Sequence, residues 1–141
     1  MRTTLAAIAA FAALTGAFAS TTAFAGIGEE LTIAQTHALL AFRGGGRGER
    51  GIATAKTHTH HVINCLVGPG GDGYDVTPPL MDPCAADKTN KGALNDATSP
   101  AQKQKVQAAI DLAKANLAIT DNAQMQEQAT ALADAIGAAK E

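Results

Sequence analysis

In 141 residues the chain has no tryptophan, two serines, two cysteines and five aromatic side chains. Each scarcity removes a class of function. Phe11, Phe18 and Phe24 fall within the first 25 residues, which leaves Phe42 and Tyr74 for the rest of the chain. Base-stacking platforms and large aromatic-lined pockets are built from more than that. Charge is balanced, with 11 Lys and Arg against 13 Asp and Glu, so no basic face is expected for nucleic acid. Ser20 and Ser99 are the only serines, and neither lies in a nucleophile motif. With no acid–base pair or cofactor fingerprint either, the sequence predicts a protein that is not an enzyme.

Several binding motifs are also missing. Gly44-Gly45-Gly46-Arg47-Gly48-Glu49-Arg50-Gly51 lacks the preceding strand and the Gly-Lys-Ser/Thr ending of a phosphate loop. Asp72-Gly73-Tyr74-Asp75 does not follow the spacing of a calcium loop. No Cys-x-x-Cys-His is present, so covalent haem is not expected.

The N-terminus has the layout of an export signal. Met1-Arg2 is a short basic start, Leu5 to Phe18 is an apolar run, and Ala23-Phe24-Ala25 supplies the small residues that a signal peptidase reads. The run is shorter than the roughly 20 residues that span a bilayer. Residues 1–25 are therefore expected to be a secretory signal and residues 26–141 a single domain, periplasmic or secreted and not integral to a membrane. In an oxidising compartment two cysteines read most simply as one disulfide, Cys65–Cys84. Closing a loop of about 20 residues contributes roughly 3 kcal/mol in the loop-entropy model.

Hydrophobic residues make up 46% of the chain, but 32 residues are alanine, so helices can approach closely while each seam buries little. Helical spacing predicts a first helix over Glu29 to Phe42, ended by the glycine run from Gly44. It predicts a second over Glu49 to Leu66, ended by Gly68-Pro69-Gly70-Gly71. Residues 67–98 hold four of the five prolines and no sustained period, which suggests an ordered, disulfide-pinned loop. Ser99-Pro100 opens a third helix with the stripe Val106, Ala109, Ile110, Ala113 and Leu117. Thr120-Asp121-Asn122 breaks it and caps a fourth, with Met125, Ala129, Leu132, Ala133 and Ile136. The expected fold is all-α, an antiparallel four-helix bundle with one long loop between its second and third helices.

The histidines carry the only chemistry. His58 and His61 share a face of the second helix, being one turn apart, whereas His60 points away from His58. Folding the first two helices back about Arg47 sets His37 level with Thr57 and within one turn of His58 and His61. Three imidazoles so placed suit a divalent transition metal, Cu, Zn or Ni, with water, Asp, Glu or Met125 in a fourth position. The same residues also suit structural or solvent-facing histidines, or a patch that titrates near neutral pH.

With His37, His58 and His61 on the first hairpin, the alanine-rich layout resembles that of the periplasmic small metal-binding proteins over residues 30–66 and, more loosely, 100–139. That resemblance implies a four-helix bundle whose histidines take up divalent metals, copper among them. The family is densely His-rich, whereas the third and fourth helices here carry none, which implies one or two sites rather than high-capacity storage. A reading of a different class makes the protein a cell-envelope structural or interaction protein. Its contact surface would be the pinned loop around Tyr74, Val76, Leu80 and Met81.

Overall fold

A computed structural model describes residues 26–46, 49–86 and 89–141, and for Glu49 and Arg50 the backbone only. The expected export signal lies outside the described residues. Among those described the fold is all-α: α1 (Ile27–Gly45), α2 (Glu49–Val67), a single turn α3 (Ala93–Asp96), α4 (Pro100–Asn116) and α5 (Asn122–Ala139). None of these helices is long and apolar enough to cross a membrane.

Local sequence accounts for the starts of α4 and α5. The Ser99 side chain accepts from the Gln102 backbone N–H at the start of α4, with Pro100 as first helical residue. Asp121 caps α5 in the same way through the Gln124 N–H. The end of α1 departs from expectation, because the helix continues through Gly44 and Gly45. Packing explains why. A Cβ at Gly44 would lie 2.9 Å from the Ala55 backbone nitrogen on α2, and one at Gly45 would lie 3.0 Å from the Gln126 side chain on α5. These glycines give up helix propensity, and in return two neighbouring helices pack close against α1.

Helix α1 packs on α2 and α5, and α4 packs on α5 and α2. The register of α1 against α5 runs in opposite senses, since Gln35 donates to the Ala133 carbonyl and Gln126 donates to the Phe42 carbonyl. The main core gathers Leu31, Ile63, Leu66, Ile110, Leu132 and Ile136, spaced by alanines. A smaller cluster of Ala41, Ala55, Ile119, Met125 and Ala129 fills the end of α1 nearest α2's start. Each fully buried Leu or Ile contributes roughly 1.5–3 kcal/mol, and the alanines much less.

The segment between α2 and α4 is pinned at three places. Cys65 and Cys84 form the expected disulfide, with Cα atoms 5.4 Å apart. At its neck, Gly68 (φ +68°) and Gly92 (φ +86°) press backbone on backbone. A Cβ at Gly92 would fall 2.3 Å from the Gly68 nitrogen, so neither position admits a side chain. The third pin is Asn64, fully buried, whose Nδ2 donates to the carbonyls of Asp75 (2.6 Å) and Met81 (2.8 Å) and whose Oδ1 accepts from the Asp75 N–H (3.0 Å). The segment also contains α3, which the sequence reading treated as loop. One helical turn is too short to leave a hydrophobic period.

Candidate metal centre

The site is built on the close seam between α1 and α2. His37 lies beside the buried α1 stripe of Ala34, Ala38 and Ala41. His58 and His61 lie one turn apart on α2, flanking Thr59, whose hydroxyl donates to the Ala55 carbonyl within the helix. Alanine and glycine across the seam keep the backbones near each other. His37 Nδ1 is 3.1 Å from His58 Nδ1 and 3.2 Å from His61 Nδ1. Nδ1 is the ring nitrogen nearer the main chain, so a meeting of Nδ1 atoms suits helices that run close.

The ring centroids stand 5.3, 4.8 and 5.5 Å apart, with His61 edge-on to both others. His61 is buried, and His37 and His58 are half-buried. The cluster thus joins one buried ring to two that solvent partly reaches. Burial, followed by the like charges that His61 and His58 would carry, holds His37 down at about 4, from an ordinary 6.5. Burial also lowers His58. For His61 burial again leads, followed by His58 and His60, and the Asp82 carboxylate opposes them. All three imidazoles are therefore neutral at pH 7, the state in which nitrogen lone pairs bind metals.

Hydrogen bonding uses this arrangement poorly. A neutral imidazole nitrogen offers either one in-plane N–H or one in-plane lone pair. His37 Nδ1 faces two other Nδ1 atoms and can make one well-directed bond, leaving the third nitrogen over. A cation takes three lone pairs at once. Nitrogens bound at about 2.0–2.1 Å in tetrahedral directions stand roughly 3.3–3.4 Å apart, close to the two separations found. One feature runs the other way: His61 Nε2 is buried without a hydrogen-bond partner, although ligating imidazoles usually donate through their second nitrogen.

Other expected residues fall outside the cluster. Met125, weighed as a fourth ligand, packs with Ala41 and Ala55 in the smaller core instead. His60 is half-buried away from the three, with its Nδ1 unpartnered. Cys65, Asp82 and Cys84 also lie together, but both sulfurs are spent in the disulfide. Asp82 is held by the Cys84 N–H (2.9 Å), the Tyr74 hydroxyl (3.3 Å) and Asn90 Nδ2 (3.3 Å). Of the loop residues proposed as a contact surface, Tyr74 packs partly against the core and Leu80 is half-buried, whereas Val76 and Met81 are 48% and 57% exposed.

Sequence reasoning missed Asn64 and Glu30. Glu30 is buried near the start of α1, and its Oε1 accepts the Gly92 N–H at 3.1 Å, tying α1 to the loop neck. A polar residue within an apolar helical run was the available signal for Asn64, which follows Val62 and Ile63. The fold and site define an all-helical, disulfide-stapled protein with a half-buried three-histidine cluster that could hold a metal ion. No protein-family model matches the chain, and no curated protein or solved structure shows significant similarity to it.

Proposed function

We propose that this protein is an exported, non-catalytic binding protein that holds one divalent transition metal, Cu, Zn or Ni, on His37, His58 and His61. The carrying observation is the meeting of three Nδ1 atoms at 3.1 and 3.2 Å, an arrangement that hydrogen bonds between neutral rings leave partly unused. Export, with residues 1–25 as the signal and residues 26–141 as one domain, is supported by the Cys65–Cys84 disulfide, a bond favoured in oxidising compartments. An antiparallel bundle of the four long helices is supported by the opposed register of α1 and α5.

Titration of Zn, Cu and Ni against a competing chelator at neutral pH tests the reading. The expected result is one equivalent bound with a submicromolar Kd, weakened about 100-fold or more when His58 and His61 are both replaced by Gln. Equal affinity in the variant would refute it. A contact role for the loop is favoured by the exposure of Val76 and Met81 on an otherwise clamped segment. Under that reading Met81→Ser impairs cellular function while metal uptake stays intact, and His58→Gln does the reverse.

A further inference from the structure

Three protein ligands leave a metal ion unfinished. Among the described residues no fourth His, Cys, Asp or Glu offers a ligand atom to the His37–His58–His61 group. The nearby acidic candidate, Asp82, is occupied: Cys84 N–H holds one oxygen, and Tyr74 and Asn90 hold the other. Met125 is packed in the smaller core. Metal sites closed for structural purposes take four protein ligands, whereas sites with three keep a position for an outside donor.

Charge then selects the donor. Three neutral imidazoles leave a bound dication with its full charge, and the half-burial of His37 and His58 makes that charge costly to leave uncompensated. The same two rings are partly exposed, so solvent reaches two of the three members of the cluster. Building on the metal reading, we infer that a metal held by His37, His58 and His61 keeps one coordination position open toward solvent, where it takes a small anionic monodentate donor from outside the chain. Hydroxide, carboxylate, thiolate and azide share this chemistry. A donor group presented by another molecule could enter the same position, so the metal would be reachable by an acceptor without prior loss of a protein ligand.

Cobalt(II) is the probe, because its visible d–d bands report coordination number and ligand identity. The disulfide-intact protein is titrated first with Co(II), then with sodium azide. The metal reading expects intense bands at one equivalent, absent in His58→Gln/His61→Gln; failure here refutes that reading and this inference together. The inference expects azide to change the bands saturably, with one azide per cobalt. Bands that form normally but stay fixed through excess azide would overturn the open position while leaving the metal reading intact. Asp82→Asn provides the second arm. If azide alters the spectrum only in this variant, Asp82 closes the wild-type site and the inference fails.

Discussion

Acidification should weaken the metal-free fold from a pH well above that at which carboxylates titrate. His37 is held at about 4 in the folded protein, against 6.5 for the free side chain. Below pH 6.5 the unfolded chain therefore binds a proton that the folded chain refuses. Stability rises with pH wherever the unfolded state binds more protons, so the His37 contribution is complete above pH 6.5 and is lost as pH falls toward about 4. Between pH 7.5 and 4.5 the ideal two-pKa linkage amounts to roughly 2–3 kcal/mol. The ring is only half-buried, and solvent screening reduces this to about 1–2 kcal/mol, a sizeable part of the roughly 5–15 kcal/mol that holds a typical domain. His58 and His61 are lowered too and act in the same direction.

Urea unfolding followed by circular dichroism at pH 7.5, 6.0, 5.0 and 4.5, in excess chelator, reads this directly; the part from about 7.5 to 5.0 lies above most carboxylate titration, and a non-titrating variant separates the rest. The midpoint should fall across the window with an unchanged slope. His37→Gln, which cannot titrate, should flatten a large part of that fall. A wild-type midpoint independent of pH, or one that rises on acidification, would refute the claim that the cluster is held neutral by burial and by mutual repulsion.

Other consequences are equally concrete. Asn64→Ala removes three hydrogen bonds to Asp75 and Met81, and it should cost about 2–4 kcal/mol in urea unfolding and speed proteolysis of the loop. Wild-type rates of loop cleavage would contradict the clamp. Gly44→Ala places a methyl 2.9 Å from the Ala55 nitrogen. It should destabilise by about 1–3 kcal/mol and weaken metal binding by spreading α1 from α2, so a variant as stable as wild type would refute the close seam. Reducing the Cys65–Cys84 disulfide should cost about 2–4 kcal/mol of stability, read as a lower unfolding midpoint in dithiothreitol. His60→Ala should leave metal affinity within about threefold of wild type, because His60 lies outside the converging nitrogens.

Much of this fold can be read from residues whose preferences are local. Ser99-Pro100 and Asp121 mark helix starts because their caps are made within three residues, and both caps form as expected. The convergence of His37 with His58 and His61 was legible because it needs only a tight hairpin and helical periodicity. Where the outcome depended on distant partners, local signals misled. Gly44 and Gly45 look like helix breakers, yet both are helical, with the α2 backbone too close to Gly44 for a side chain and α5 tight against Gly45. Asn64 and Glu30 look like ordinary polar residues on helices, and their partners Asp75, Met81 and Gly92 lie beyond the reach of any periodic pattern. Choice of ring nitrogen was likewise invisible, since it depends on side-chain rotamers and helix spacing that no periodic pattern carries.

Long-range nitrogen–proton NMR of the histidine rings in the zinc-loaded, disulfide-intact protein, compared with the metal-free form, tests the three-nitrogen site most directly. Nδ1 of His37, His58 and His61 should move to metal-bound shifts while Nε2 of each carries the proton, and His60 should not change. Rings that keep their metal-free spectra in saturating zinc, or that bind through Nε2, would contradict the three-nitrogen site described here.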